Sequence, residues 1–336
     1  MNKLSTEYVD LGDIRIAYRQ HGSGRALLLL HGNSGSKAMF KPYQLEHFPQ
    51  FHTYALDSRG HGQSISTDEE ITIEQISRDV IRFCEAKGIH QADVIGYSDG
   101  GNIALHLANK APETFPRIIT VSPNYLVSGT TDESLHMLGY MLKIMSFLSR
   151  LGFNMKKYIL RFHMMMVDIG ITEEELGSIR THLKILYAEN DMIKEDHLVR
   201  LAGIIPHASP EKIMGCTHLT IMRNLAAIRS MQAYLSTGIS ELPTLCLNFF
   251  RKGQPVLLLS FQGKLFDLCA GVITTGRAFI SLVMLHDKTG LCQDDHDMAF
   301  FIDTGFNFLS TGAVNEDVIP HKCSLKGVDI NLLVLF

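Results

Sequence analysis

The sequence predicts an α/β protein in which helices cover both faces of a mostly parallel central sheet, followed by a C-terminal extension that is β-rich or poorly ordered. Strand and helix patterns alternate along residues 1–238, as expected when parallel strands are joined by helices. One predicted strand, residues 26–30, is wholly apolar, which is typical of a strand buried on both faces. Hydrophobic residues make up 46% of the 336 residues, so the chain can form a large core.

The elements follow in chain order. Residues 8–11 and 14–18 alternate in polarity across a Gly12-Asp13 turn, and this alternation predicts an opening hairpin. Residues 26–30 form a short apolar run, and the further predicted strands are 51–56, 92–97, 117–122, 183–188 and 211–214. Apolar residues recur with a 3.6-residue period in 72–87, 102–110 and 219–235, which predicts three helices packed on the sheet.

A domain boundary is predicted near Thr237-Gly238, because the use of aromatic residues changes there. All ten tyrosines lie at or before Tyr234, whereas residues 239–336 hold ten of the eighteen phenylalanines and four of the six cysteines. We therefore expect two domains, 1–238 and 239–336, and the pattern of the second indicates no role. Its predicted strands are 255–261, 270–275, 279–285 and 331–336.

Charge and composition argue against several classes of protein. A net charge of -4 with no Lys/Arg cluster disfavours a nucleic-acid or anionic-membrane partner. The first twelve residues lack the apolar segment of a secretory signal, and residues 266–285 carry Asp267 and Arg277, which disfavours a membrane span. The six cysteines form no CxxC pair, so neither a zinc ribbon nor a disulfide framework is expected. We expect a soluble cytoplasmic protein.

One group of residues in the extension contains side chains that can bind metals. It consists of His286, Asp287, Cys292, Asp294, Asp295, His296 and Asp297. Their spacing matches neither a zinc site nor an EF-hand. We interpret the group as an acidic loop and expect no metal.

The strongest motif for chemistry is Gly96-Tyr97-Ser98-Asp99-Gly100-Gly101. A predicted strand precedes it and a predicted helix follows it, which is the context of a G-x-S-x-G nucleophile elbow. In such an elbow the serine occupies a sharp, strained turn, and the glycines leave room where neighbouring segments crowd it. The turn exposes the hydroxyl at the positive end of the helix, so Ser98 is the candidate nucleophile.

A second motif, His31 to Ser36, follows the apolar strand at 26–30. Acyl transfer develops negative charge on a carbonyl oxygen, and preorganised backbone N–H groups stabilise that charge. A glycine-rich loop at the end of a central strand can turn its amides inward. The candidate oxyanion donors are the backbone N–H groups of Asn33 and Asp99, while His31 is interpreted as a structural turn residue.

These motifs resemble those of the α/β-hydrolase superfamily over about residues 5–237. The segments HGNSGS, DSRGHGQS at 57–64 and GYSDGG stand in the order and approximate spacing of that family. The resemblance implies that Asp57, Arg59 and His61 are structural, with Arg59 paired to a carboxylate. It also implies the α/β-hydrolase fold and a triad in the chain order Ser, Asp, His.

The resemblance places the acid at Asp191 and the base at His218. Asp191 ends the strand-like segment from Leu183, and it would hold the tautomer of the histidine. Glu189 and Asp196 compete for the role of acid. His218 follows the last predicted strand, where Cys216 and Thr217 replace the usual small residues; Cys216 itself is interpreted as a packed thiol.

A helical cap is predicted at about 124–180, where the family has its insertion. About 60 residues separate Ser122 from Thr181, far more than a strand-helix-strand link requires. Seven of the fifteen methionines fall there, and Met137, Met141 and Met145 recur every four residues. Helix packing uses such residues, but methionine also suits an adaptable apolar wall, so we expect a substrate with an apolar acyl or alkyl portion.

The sequence thus predicts a serine hydrolase that cleaves a small-molecule carboxylic ester or similar acyl substrate through an acyl-enzyme, without a cofactor. The same triad could cleave amide, thioester or carbon–carbon bonds, and a non-catalytic hydrolase-like binding protein is an alternative of another class. Haloalkane dehalogenases and epoxide hydrolases of this fold are less similar, because their nucleophile is aspartate.

Overall fold

The structure is a computed structural model that describes residues 4–66 and 70–236 with their side chains. Beyond these it describes the backbone of residues 244–251, 254–261, 264–275, 278–286, 299–300, 318–325 and 328–335. The chain divides into two compact units, Met1–Ile239 and Ser240–Phe336. The predicted boundary at Thr237-Gly238 and residues 287–298 of the predicted acidic loop lie outside the described residues.

The first unit is built around a nine-stranded sheet. Its strands are β1 (Glu7–Asp10), β2 (Ile14–His21), β3 (Arg25–Leu30), β4 (Phe51–Leu56), β5 (Ile65–Ser66), β6 (Ala92–Tyr97), β7 (Arg117–Val121), β8 (His182–Asn190) and β9 (Ala208–Thr217). They lie in the order β1-β2-β4-β3-β6-β7-β8-β9, and β5 pairs with β2. The predicted hairpin is present as the antiparallel pair β1 and β2, and the six strands from β4 to β9 in this order pair in parallel.

Both faces of this sheet are buried, as the apolar strand patterns predict. Successive side chains of a strand point to opposite faces. In β3, Leu28 and Leu30 join the core on one face, whereas Leu27 and Leu29 join the core on the other. All four leucines are buried, and Phe83 and Met231 from helices on opposite faces join the two cores. The observed architecture is the predicted α/β class.

Seven α-helices are described in the first unit. They are α1 (Ile73–Lys87), α2 (Asp99–Lys110), α3 (Asp132–Arg150), α4 (Lys156–Met164), α5 (Glu173–Ser178), α6 (Glu195–Ile204) and α7 (Leu225–Ser236). Threonine side chains cap α1, α3 and α5 by accepting a hydrogen bond from the backbone N–H three residues later. The helix predicted at 219–235 is a 3-10 turn (Ile221–Arg223) followed by α7.

The long segment between β7 and β8 contains α3, α4 and α5. We call residues 122–181 the helical insertion. Leu138 is the only buried residue of α3, and α3 packs beside α4. Met137 is 56% exposed and Met141 is also exposed, so these two methionines lie on the outer surface of α3 rather than on its packed side.

The second unit is described by its backbone, which forms antiparallel strands. The strands β10 (Thr244–Arg251), β11 (Gln254–Phe261), β12 (Lys264–Thr275), β13 (Ala278–His286) and β14 (Ala299–Phe300) form one sheet, and β15 (Val318–Leu325) pairs with β16 (Val328–Leu335). The sequence predicts β11, β13, the second half of β12 and the end of β16, but misses β10, β14 and β15. Among the described residues, no helix is both long and apolar enough to cross a membrane.

Candidate active site

Four polar side chains stand at the carboxyl ends of four neighbouring parallel strands. Ser98 directly follows β6, Ser122 follows β7, Asp191 follows β8 and His218 follows β9. These strands are consecutive in the sheet, and the carboxyl ends of parallel strands lie along one edge. The sheet therefore brings together residues that are up to 120 positions apart in the chain.

Ser98 occupies a strained turn between β6 and α2. Its backbone has φ 54° and ψ −119°, outside the conformations that residues with a side chain prefer. A Cβ on Gly96 would collide with the carbonyl oxygen of Gly100, and one on Gly100 would collide with that of Leu30. A Cβ on Gly32 would lie 2.9 Å from the Ser98 Cβ. The glycines thus let the turn pack tightly against the end of β3, as the elbow motif predicts.

His218 lies between Ser98 and Asp191. Its Nε2 atom is 3.1 Å from the Ser98 Oγ, and its Nδ1 atom is 2.6 Å from the Asp191 Oδ1. The imidazole is only 6% exposed. The Tyr97 ring packs beside it with ring centroids 5.2 Å apart, and the Tyr97 hydroxyl donates a hydrogen bond to the His218 carbonyl oxygen. Both the ring and the backbone of His218 are therefore held in place.

The Asp191 carboxylate accepts hydrogen bonds on both oxygens. Its Oδ1 faces His218 and the backbone N–H of Ile193, at 2.6 and 3.1 Å. Its Oδ2 accepts from the hydroxyl of Ser122 at 2.5 Å and from the backbone N–H of Ala188 at 2.9 Å. Burial raises the pKa of this carboxyl, but the hydrogen bonds from His218, Ser122 and Ala188 outweigh burial and hold its pKa below the usual value. The group is an anion at neutral pH.

The competing candidates lie away from this hydrogen-bonded chain. Glu189 is exposed, and its carboxylate accepts the backbone N–H of Gly215 at 2.8 Å. Asp196 is exposed in the first turn of α6, and its carboxylate accepts the N–H of the next residue. Cys216 is buried, its Sγ donates to the Ile213 carbonyl oxygen, and burial raises the pKa of its thiol. This thiol packs as the sequence predicts.

The two predicted oxyanion donors are adjacent. Asn33 lies in the loop after β3, and its side-chain amide donates to the Asp99 carboxylate at 3.0 Å and to the Arg161 carbonyl oxygen in α4 at 2.8 Å. Asp99 is the first residue of α2, so its backbone N–H is among those that have no acceptor within the helix. Burial raises the pKa of the Asp99 carboxyl. Asn33 thus links the N-terminus of α2 to α4 of the helical insertion.

The histidine before this loop is structural, as predicted. The Nδ1 of His31 bonds the carbonyl oxygen of Gly32, so it must carry the proton, and Nε2 accepts the backbone N–H of Ser58. Burial lowers the pKa of His31, and the ring stays neutral. Both nitrogens are occupied, which leaves no free nitrogen for acid or base chemistry.

The loop after β4 is held by buried ion pairs. The Arg59 guanidinium makes two hydrogen bonds of 2.8 Å to the Asp79 carboxylate, which confirms the predicted pairing to a carboxylate. The Asp57 carboxylate accepts from the ammonium and the backbone N–H of Lys37. Burial, followed by the nearby His31 ring, lowers the pKa of His61 to about 3. These groups fix the loop rather than serve the site.

Two features of the site were missed by the sequence interpretation. The sequence pattern places Ser122 in a strand, but it follows β7 with φ 53° and its hydroxyl contacts the candidate acid. The motif at 31–36 predicts a role for the backbone N–H of Asn33 and none for its side chain. Nothing in the local sequence marks Ser122, since its partner lies 69 residues away. Within 4–66 and 70–236, no group of three or more His, Cys, Asp or Glu side chains is placed to hold a metal.

Residues 25–153 match the family model for the α/β hydrolase fold. This match covers less than half of the chain, and the first unit has the α/β-hydrolase fold. The matched region includes Asn33, Ser98 and Asp99, and it ends before Asp191 and His218. The candidate acid and base thus rest on the geometry described above and on their order in the chain.

Curated relatives match only part of this chain. The dihydrolipoyllysine-residue acetyltransferase component of the acetoin cleaving system from Cupriavidus necator is 34% identical over 119 residues, covering 35% of this chain and 32% of that protein. The 2-(acetamidomethylene)succinate hydrolase from Mesorhizobium japonicum is 27% identical over 113 residues, covering 34% of this chain and 41% of that protein. The chain therefore spans less than half the length of these relatives.

A solved structure has a similar fold over 70% of this chain. The crystal structure of E-2-(acetamidomethylene)succinate hydrolase superposes with a TM-score of 0.59 and 17% identity, covering 70% of this chain and 100% of that chain. At this identity the likeness establishes the fold alone.

Proposed function

We propose that this protein is a serine hydrolase that cleaves a carboxylic ester or a related acyl substrate through an acyl-enzyme. The observation that supports this most directly is the hydrogen-bonded chain from Ser98 through His218 to Asp191, with contacts of 3.1 and 2.6 Å. A nucleophile, a base in contact with it, and a third group that orients the base are the parts that acyl transfer requires.

The hydrogen bonds of Asp191 determine which nitrogen of His218 can act as the base. An ionised carboxylate only accepts hydrogen bonds, so the Nδ1 atom facing Asp191 carries the proton. The Nε2 atom of the neutral ring then has a lone pair directed at the Ser98 hydroxyl. His218 can take the Ser98 proton as the oxygen attacks, and the Asp191 anion stabilises the resulting imidazolium.

The carbonyl oxygen of the substrate gains negative charge in this step. The backbone N–H groups of Asn33 and Asp99 are the proposed donors, and the N-terminus of α2 adds a favourable dipole. His218 then returns its proton to the leaving group, and an acyl group remains on Ser98. A water molecule activated by the same histidine releases the acid. Each proposed step uses groups of this chain alone, so the reaction requires no cofactor.

The helical insertion is proposed to cap the site and to contact the acyl or alkyl portion of a small-molecule substrate. Asn33 supports this placement, because its side chain bonds both Asp99 beside the nucleophile and the Arg161 carbonyl oxygen in α4. The same triad could act on an amide, a thioester or a carbon–carbon bond. A panel of acetyl, butyryl and octanoyl esters with matched amides and thioesters separates these reactions by kcat/KM.

The proposal is tested with a fluorophosphonate probe and a short-chain p-nitrophenyl ester. Wild type is expected to be labelled and to hydrolyse the ester, and Ser98→Ala is expected to lose both. The oxyanion hole alone can leave a residual rate of roughly 10³-fold over water. Cys216→Ala serves as the matched control and is expected to keep labelling. The nucleophile lies elsewhere if Ser98→Ala retains more than about a tenth of the wild-type kcat. Absence of labelling in wild type would favour a non-catalytic binding protein.

A further inference from the structure

We propose that Ser122 is a positioning residue that holds the Asp191 carboxylate in the orientation needed by His218. The inference rests on the proposed triad and extends it to a fourth residue. Ser122 touches neither Ser98 nor His218 through any hydrogen bond described, so it acts through Asp191. Ser122 lies 69 residues before Asp191 in the chain, but its Oγ atom is 2.5 Å from the Asp191 Oδ2 atom.

The hydroxyl of Ser122 completes the set of donors around the carboxylate. Oδ1 accepts from His218 and from the Ile193 backbone, and Oδ2 accepts from Ser122 and from the Ala188 backbone. A carboxylate has about four positions for donors, so these four contacts fill them. Ser122 and His218 are the two side chains among the four partners, and they hold opposite oxygens. The serine therefore opposes rotation of the group away from the imidazole.

The backbone of Ser122 is also tied to the strand that ends at the acid. Its N–H donates to the carbonyl oxygen of Leu186 in β8 at 2.8 Å, so main chain and side chain both connect β7 to the Asp191 loop. Ser122 is fully buried and has φ 53°, a conformation that is unfavourable for a residue with a Cβ. In the described residues, positive φ outside glycine occurs at Ser34, Ser98 and Ser122, and all three follow strands at the same sheet edge.

Loss of the hydroxyl would leave Oδ2 with one donor in a buried environment. A hydrogen bond to a charged group is worth enough that its loss is expected to reduce kcat roughly 10- to 100-fold. Protein donors already occupy both oxygens of Asp191, so we expect the substrate not to bind there and KM to stay within about twofold. A general loss of structure would instead lower the fraction of active enzyme and leave kcat per labelled site unchanged.

The test compares Ser122→Ala with Ser77→Ala. Ser77 is also fully buried, and its hydroxyl donates to the Glu74 carbonyl oxygen in α1, far from the acid in the sequence. Ser77→Ala is expected to keep the wild-type kcat, whereas Ser122→Ala loses it at unchanged KM, with active sites counted by probe titration. Ser122→Gly separates the hydroxyl from the backbone strain, because glycine accepts φ 53° without cost. It is expected to lose as much kcat as Ser122→Ala; retention of kcat in Ser122→Gly would overturn the proposal.

A double-mutant cycle with Asp191→Asn locates the path of the effect. If Ser122 acts through Asp191, Ser122→Ala adds little further loss in the Asp191→Asn background. Additive losses would show an independent effect and overturn the proposal. This cycle requires measurable turnover in both backgrounds, which active-site titration and high enzyme concentration provide.

A spectroscopic readout keeps this test separate from the proposed function. The proton in the short bond between His218 Nδ1 and Asp191 should give a far-downfield NMR resonance, assigned by its absence in Asp191→Asn. This resonance is expected to broaden through faster exchange with water in Ser122→Ala and to persist in Ser77→Ala. An unchanged resonance in Ser122→Ala would contradict the inference. A wild type with this resonance but no hydrolysis would instead refute the proposed function alone.

Discussion

Asp191→Asn is expected to lower kcat by about three to four orders of magnitude, as the equivalent change does in serine proteases. The substitution keeps the size of the side chain but replaces one acceptor oxygen with an NH₂ donor. In the structure both oxygens of Asp191 face backbone N–H groups, those of Ile193 and Ala188. In either of its two orientations, the NH₂ group of asparagine would therefore face one of these backbone N–H donors.

The two orientations damage the site in different ways. If the amide nitrogen faces His218, the imidazole must accept on Nδ1 and carry its proton on Nε2, which then cannot remove the Ser98 proton. If the amide oxygen faces His218, the tautomer is correct, but the nitrogen opposes the Ala188 N–H. In both orientations the negative charge that stabilises the imidazolium is gone.

The unfolding free energy is also expected to fall. A buried backbone N–H without an acceptor costs about 1–3 kcal/mol, and one such group is left in each orientation. Steady-state kinetics on a p-nitrophenyl ester measures the loss in kcat, and urea unfolding monitored by circular dichroism measures the loss in stability. Because the Asp191 carboxylate already accepts hydrogen bonds from four protein donors, we expect no substrate contact with it and little change in KM.

Glu189→Gln and Asp196→Asn are the matched controls. Both side chains are exposed and keep an oxygen that can accept their present backbone donors, Gly215 and His197. Exposed substitutions of this kind typically change free energies by less than about 0.5 kcal/mol, so kcat should remain within roughly twofold of wild type. An Asp191→Asn variant with more than about a tenth of wild-type kcat would refute the assignment. An equal loss in either control would transfer the role of acid to that residue.

Three further predictions concern stability and organisation. Gly100→Ala places a Cβ against the Leu30 carbonyl oxygen, so it should lower kcat and lower the melting temperature by about 5 °C or more. Gly139→Ala in α3 is the control: its Cβ would meet nothing within 4 Å, so neither kcat nor the melting temperature should fall. Burial lowers the pKa of His61 from 6.5 to about 3, so between these pH values the unfolded chain binds a proton that the folded protein excludes. The unfolding free energy, measured by denaturant titration, should therefore fall by up to roughly 4 kcal/mol from pH 6.5 to 3. The decrease should be smaller in His61→Asn. Truncation after Gly238 should leave kcat/KM on a short-chain ester largely unchanged, and a hundredfold loss in a well-folded truncation would refute that expectation.

The fold of the first unit could be predicted because its strands and helices alternate and because the central run at residues 26–30 is wholly apolar. Side chains of Leu27 to Leu30 pack into the cores on both faces of the sheet, and this double burial gives β3 its continuous apolar pattern. Strand β9 was predicted as 211–214 but spans Ala208–Thr217. Among the described strands it pairs with β8 alone, at the sheet edge, and its exposed side chains and Pro210 weaken the apolar signal.

The candidate site could be predicted only in part. The elbow around Ser98 is local, so a single stretch of sequence marks it. Asp191 and His218 have no such local mark, and their assignment came from the order of residues in a resembling family. Ser122 could not be found in either way, because a serine at a strand end is common and its contact with the acid depends on the pairing of β7 with β8.

The width of the sheet explains why a serine beside the acid matters. Neighbouring strands lie about 4.8 Å apart, so the end of β6 is about 14 Å from the end of β9, three strands away. The His218 ring nevertheless contacts Ser98 at 3.1 Å, so its side chain points from the end of β9 back over the ends of β8 and β7. Asp191 occupies the first and Ser122 the second, and the 2.5 Å bond between them joins the two ends into one support. If the residue after β7 had no side-chain hydrogen-bond donor, this bond between the ends of β7 and β8 would be lost.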